Sequence, residues 1–396
     1  MRKHRLAITA IGLLTVAPAL HADEGMWTYD NFPTDTVRRQ YGVSIDRPWL
    51  DRVRAATVRL SGCSASFVSG EGLILTNHHC IASCLAENST KEKSLLDEGF
   101  VARNREQEIK CSTQVADVLV EMQNVTTSIE AATRGLDDRA ANEARKRTLT
   151  ELEQSCEKAS GLKCQSVTLY NGGQYFLYKY RRYTDVRLVF APEAGIAAFG
   201  GDPDNFQFPR WCLDMGLLRA YENGKPVIVA DPLRINFAGP KAGEFVLVSG
   251  HPGSTNRLLT VSQLQQLREL VLPPSLLRSS ELRGRYIQFS KTSDEARRIA
   301  EDPLTGLENG IKVRRKQRDA LLEENLMSEK RRQESELRAR AARDRTLATD
   351  RYTHAEAAAM IAAPAIGVDD DIMVSEPSVG LGLPARVVAE GRSVAD

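Results

Sequence analysis

Beyond residue 22 the sequence lacks any apolar run approaching the roughly 18 residues that a membrane-spanning helix needs. It also lacks an excess of either charge: 53 Lys and Arg meet 52 Asp and Glu, a formal net charge of +1. Such balance gives no global pull toward nucleic acid or an anionic membrane, so either partner would require a local patch. No internal repeat stands out. What is present is a chain of 396 residues, 42% hydrophobic, long enough for two or three domains with real cores. At its start, the basic Arg2-Lys3-His4-Arg5 precedes the apolar run Leu6 to Leu20 and the small-residue site Leu20-His21-Ala22. That pattern predicts a signal peptide over 1–22 and an exported protein, periplasmic or secreted. Export favours disulfides among the seven cysteines, and the odd number leaves at least one thiol over.

From Trp27 to about Asn124, short β-branched runs broken by Gly (56–60, 65–69, 73–76) predict a small all-β barrel or sandwich. A helical excursion follows near 127–160, opened by Thr127-Ser128-Ile129-Glu130 with its capping hydroxyls. Strands resume at 166–170, 174–181 and 186–190, then at 213–221 with the hairpin-like Asn223-Gly224, and again at 244–249. The expected β domain therefore runs over 23–260. Long charged segments with helical spacing of Leu and Ala then predict a helical domain over 261–363. Residues 364–396, with Asp369-Asp370-Asp371 and a Gly/Pro/Ala mixture, are expected to form a divergent, disordered tail.

The most informative stretch is Gly62-Cys63-Ser64-Ala65-Ser66-Phe67-Val68-Ser69 followed by Gly72 to Thr76 and Asn77-His78-His79-Cys80. Two strands joined by a Gly-containing turn bring Cys63 near Cys80, where a disulfide would fix the strand end carrying His79. A general base has to stay within hydrogen-bond reach of its nucleophile, so a covalently pinned mount has a physical purpose. The competing reading is a metal or redox site built on His78, His79, Cys80 and Cys84; adjacent side chains on a strand point to opposite faces, which disfavours shared ligation. A catalytic His also needs a buried carboxylate partner. Asp214 opens the apolar run 213–218 and is preferred over Asp202 and Asp204, which sit in the turn cluster Gly200-Gly201-Asp202-Pro203-Asp204 and suit backbone capping. Cys156 and Cys164 flank a turn containing Gly161 and suit a local disulfide; Cys84 with Cys111 is a third candidate pair, leaving Cys212.

These segments, together with Gly25-Met26-Trp27, Asp185-Val186-Arg187-Leu188-Val189, Gly200 to Phe206 and Gly250-His251-Pro252-Gly253-Ser254-Thr255-Asn256-Arg257, resemble the chymotrypsin-like serine peptidases, and more narrowly the S46 family of bacterial dipeptidyl peptidases. The resemblance implies a mixed β and α fold: a chymotrypsin-like β-barrel domain, the start of a second barrel and an inserted, mostly helical domain. It implies aminopeptidase chemistry, dipeptides released from free peptide N-termini, with His79 as base, Asp214 as its orienter, and Asn205 with Phe206 receiving the substrate ammonium. Phe206 stands where the family usually carries Trp, and a core role for it is nearly as fitting. Peptides are the implied partners, a homodimer the default assembly, and no cofactor or metal is required. The family nucleophile lies in a Gly-Asn-Ser-Gly-Ser-Pro type motif in the second barrel; nothing like it occurs from Val261 to Asp396, and Ser254 and Ser378 lack the flanking glycines of an oxyanion hole. The expectation is thus a chain cut short at its C-terminus, inactive alone. Two alternatives stand beside it: a non-catalytic peptide-binding remnant, and a chymotrypsin-like periplasmic endopeptidase.

Overall fold

The computed structural model describes residues 26–343, except 91, 198–211, 242 and 253–258. The predicted signal peptide and tail fall outside these residues. Eleven strands form one antiparallel sheet: β1 Thr57–Arg59, β2 Ser64–Phe67, β3 Leu73–Thr76, β4 Phe100–Val101, β5 Ile109–Lys110, β6 Ala116–Asn124, β7 Lys163–Leu169, β8 Gln174–Tyr183, β9 Asp185–Ala191, β10 Gly216–Glu222 and β11 Lys225–Pro226. Their order is β4-β9-β10-β3-β2-β1-β6-β8-β7, with β5 also on β9 and β11 on β10. Side chains from distant points on this path meet in one cluster, Val58, Phe67, Ile74, Tyr183, Leu188 and Leu218 among them. The sheet therefore curls around that core. The tight β2–β3 turn depends on Gly72 (φ +68°), where an added Cβ would lie 2.9 Å from the Ala220 carbonyl oxygen.

The strand expected at 174–181 forms as β8, but its burial does not alternate. Tyr175 and Leu177 face α5 (Thr126–Thr133) and α6 (Asp138–Ser160), packing with Ile129 and Leu149, while Phe176, Tyr178 and Tyr180 pack with Leu119 on the opposite face. With both faces covered, burial is nearly continuous. Beside this strand, Arg59 of β1 stands opposite Asp117 of β6, and Asp117 opposite Arg182 of β8. The buried carboxylate accepts a 2.8 Å bond from Arg59 and two from Arg182.

Two departures from the sequence expectations concern the ends of the β region. The all-β start contains α1 (Thr34–Tyr41) and α2 (Arg47–Ala56); Asp46 caps α2 by accepting from the Trp49 N–H, and Pro48 suits its first turn. The strand expected at 244–249 is unpaired among the described residues. Its apolar run Phe245 to Val248 suits a strand, but Val246, Leu247 and Val248 are exposed and no described neighbour offers a ladder. The excursion begins one residue earlier than expected, with Asn124 rather than Thr127 or Ser128 receiving a backbone N–H of the first turn.

All three candidate disulfides form: Cys63–Cys80, Cys84–Cys111 and Cys156–Cys164, with Cys212 free. Short helices α3 (Ala82–Glu87), α4 (Leu95–Glu98) and α7 (Ala194–Ala197) fill the connections. Helices then take over: α8 (Val261–Gln266), α9 (Leu272–Ser290), α10 (Asp294–Leu322) and α11 (Glu324–Arg343). Thr260 starts this run through a reciprocal capping box with Gln263, and Leu264, Leu272, Leu321 and Met327 form its core. Among the described residues no helix is long and apolar enough to cross a membrane.

Candidate active site

The register of β3 and β10 builds the site. Leu75 pairs with Leu217 and Thr76 with Gly216. Continuing this antiparallel match past both strand ends sets Asp214 against the residues after Thr76, where a single 3-10 turn, His78–Cys80, replaces the strand. His79 Nδ1 lies 2.9 Å from Asp214 Oδ2 and 3.1 Å from Oδ1, and the His79 backbone N–H donates to Oδ1 at 3.2 Å. The ring is exposed (63%) while the carboxylate is mostly covered (14%). Burial alone would raise the Asp214 pKa; the His79 hydrogen bond and charge, with the backbone N–H groups of His79 and His78, outweigh it and hold the carboxyl below its usual range. The ionised form of Asp214 selects the Nδ1–H tautomer and leaves Nε2 as the basic nitrogen. No described Ser or Thr hydroxyl hydrogen-bonds to the His79 ring.

The turn is held from several sides. The Cys63 bridge ties it to the start of β2, and the buried Gln114 donates from Nε2 to the Cys80 carbonyl at 2.9 Å. His78, the first residue of the turn, is buried and bonded to the Pro192 backbone; burial lowers its pKa and favours the neutral ring. Gly216 leaves room for Ile81, whose Cδ1 would lie 2.2 Å from an added Cβ. Gly216→Ala is therefore expected to displace the turn from Asp214 and to destabilise the fold by about 1–3 kcal/mol, checked by urea denaturation.

A depression of about 290 Å³ beside the pair is lined by Ser64, Ser66, Thr76, Asn77, Asp214 and Ser249. Its far wall is pinned by hydroxyls: Ser249 Oγ lies 2.6 Å from Thr57 Oγ1, and the His251 N–H donates to Ser64 Oγ at 2.7 Å. Burial pushes His251 down to about 4, leaving its ring neutral beside Tyr180. The metal reading loses its ligands. His79, Cys63 and Cys80 do cluster, but the two sulfurs are bonded to each other and offer no thiolate.

Of the residues singled out in the sequence, His79 and Asp214 are brought together. Asn205 and Phe206 lie outside the described residues, as do Asp202, Asp204, Ser254 and Ser378. Asn77 and Gln114 were not anticipated. Asn77 adjoins the His pair, which is a signal of position only; Gln114 carries none.

Residues 22–375 match the family model described as Peptidase S46. The chain belongs to that family. Among curated relatives of this S46 chain, the Asp/Glu-specific dipeptidyl-peptidase of Shewanella putrefaciens is 32% identical over 285 residues, 68% of this chain and 39% of the relative. Dipeptidyl-peptidase 7 of Phocaeicola vulgatus is 29% identical over 293 residues, 67% of this chain and 40% of the relative. The chain thus spans about two fifths of the length of these relatives. In fold it is similar to the crystal structure of Porphyromonas endodontalis DPP11 in complex with the dipeptide Arg-Glu: TM-score 0.69 at 22% identity, covering 81% of this chain and 50% of that one.

Proposed function

We propose that this S46 chain carries the base-and-carboxylate half of a serine-type dipeptidyl peptidase that releases dipeptides from free peptide N-termini. The observation that carries the reading is the 2.9 Å contact between His79 Nδ1 and Asp214, on a turn fixed by the Cys63–Cys80 bridge. In the proposed reaction a serine on a further β unit attacks the scissile carbonyl, and its proton passes to His79 Nε2. Asp214 stabilises the imidazolium, which returns the proton to the leaving amine; water then hydrolyses the acyl-enzyme by the same base. Asn205 and Phe206 are assigned the substrate ammonium, an amide oxygen accepting from it and a ring face attracting it.

Exposed apolar side chains after β11 support a further unit: Ile228, Phe237 and Val248 are 82, 95 and 98% exposed. Residues 1–22 as a signal peptide and three disulfides support export, and the homodimer is carried by the family resemblance alone.

The purified chain, joined to the portion of the Shewanella relative outside the matched 39%, is expected to release dipeptides from peptides with a free N-terminus and to spare their N-acetylated forms. Equal cleavage of both would favour an endopeptidase. Calorimetry on the chain alone tests the amine site: binding of free and acetylated peptides with equal affinity would remove Asn205 and Phe206 from it.

A further inference from the structure

The geometry points to Asn77 as a positioning residue that orients the Asp214 carboxylate toward His79. The inference rests on the base-and-carboxylate reading of that pair and adds a third member to it. Asn77 directly precedes the turn bearing His79 and occupies its N-cap position, yet its side chain makes no capping bond there. Instead Nδ2 donates to the Asp214 backbone carbonyl at 3.0 Å and to Oδ2 at 3.3 Å. One amide nitrogen therefore grips both the backbone and the carboxylate of the same residue.

That grip matters because the terminal torsion of an Asp is soft, with a broad two-fold profile. His79 alone does not fix it, since its ring nitrogen lies within 0.2 Å of equidistance from both oxygens, 2.9 against 3.1 Å. The bond from Asn77 supports orientation by holding Oδ2 while the His79 backbone N–H holds Oδ1. Residue type follows from the chemistry. Aspartate at 77 would set two carboxylates together, serine is too short to span the gap, and only an amide offers a donor of this reach without charge. The amide's orientation is also determined, because its oxygen would repel the carboxylate. Since Asn77 is exposed, its replacement should barely touch global stability. A merely structural surface role therefore predicts no change at His79.

The test reads the His79 tautomer by long-range proton–nitrogen NMR of the histidine-labelled chain at mildly alkaline pH, with no need for peptidase activity. The unsubstituted chain is expected to show His79 as the Nδ1–H form. In Asn77→Ala and in Asn77→Ser, which keeps a good N-cap residue, the ratio of Nδ1–H to Nε2–H is expected to fall about tenfold, as for loss of a charge-assisted bond. Thermal midpoints should stay within a few degrees. Asp214→Asn is the reference and should abolish the preference. If both Asn77 variants keep the original ratio while Asp214→Asn loses it, Asn77 has no positioning role and the pair stands without it. If Asp214→Asn also leaves the ratio unchanged, the base-and-carboxylate reading itself is overturned.

Discussion

Under the proposed reaction, His79→Ala is expected to lower kcat/KM for dipeptide release by about 10⁴-fold or more when this chain is joined to a serine-bearing S46 unit. The expected size follows from what the imidazole does. At neutral pH a serine hydroxyl is almost wholly protonated, so without a base within reach its attack costs the full free energy of deprotonation. The proposed base is His79 rather than His78 or His251, because those two are buried, with pKa values lowered by burial, while the His79 ring is exposed. Asp214→Asn should cost nearly as much, because an amide at that position can present its N–H to Nδ1 and select the wrong tautomer. KM should change little in either variant, since neither group holds the peptide. Stopped assays with a dipeptidyl fluorogenic substrate measure both constants; a His79→Ala enzyme within tenfold of the parent would remove His79 from the chemistry.

The largest effect on stability is expected at Asp117. This carboxylate is 2% exposed and lies between Arg59 and Arg182, with Arg59 also stacked 4.0 Å over the Tyr180 ring. Asp117→Ala leaves two guanidinium groups facing each other across β6, and should destabilise the chain by about 3 kcal/mol, the scale for breaking one side of a buried pair. The same site predicts a response to acid. Burial alone would raise the Asp117 pKa, but hydrogen bonds and charge from Arg182 and Arg59 more than offset it, so the folded value lies below the unfolded one of about 3.9. Its contribution is therefore complete above the unfolded pKa and is lost as pH falls from there through the folded value. Urea midpoints at pH 7 and pH 3 check this: the drop between them should be smaller in Asp117→Asn than in the parent chain.

How much of this is legible from residues alone depends on the range of the interaction. The strands 73–76 and 186–190 are readable because their patterning is local, and Cys63–Cys80 because two short strands and a turn bring it together; spacing alone does not determine the other two pairs. The pairing of His79 with Asp214 was reached through residue type and family pattern, although they are 135 positions apart. Asn77 and Gln114 escaped because their partners, Asp214 and the Cys80 carbonyl, are set by tertiary register rather than by neighbours in the chain. The helix 47–56 does carry a local signal, Asp46 followed by Pro48 at a good helix start, which the β-branched runs beside it obscure. The segment 244–249 shows the converse. Its β-branched, apolar run favours extended backbone, whereas a strand exists only when another backbone supplies the ladder.

The neighbouring of β3 and β10 has a consequence for biosynthesis. His79 is made early, but its carboxylate partner comes just ahead of a strand that ends at Glu222. Between them lie the whole excursion of α5 and α6 and six strands, so closing this loop is among the costlier long-range steps of the fold. On the ribosome, a nascent chain has to expose residue 222 before β10 can dock beside β3 and lower its carboxylate onto the imidazole. Until then the histidine is only a surface side chain. In the proposed relay, base and carboxylate thus come together only once β10 has joined the sheet.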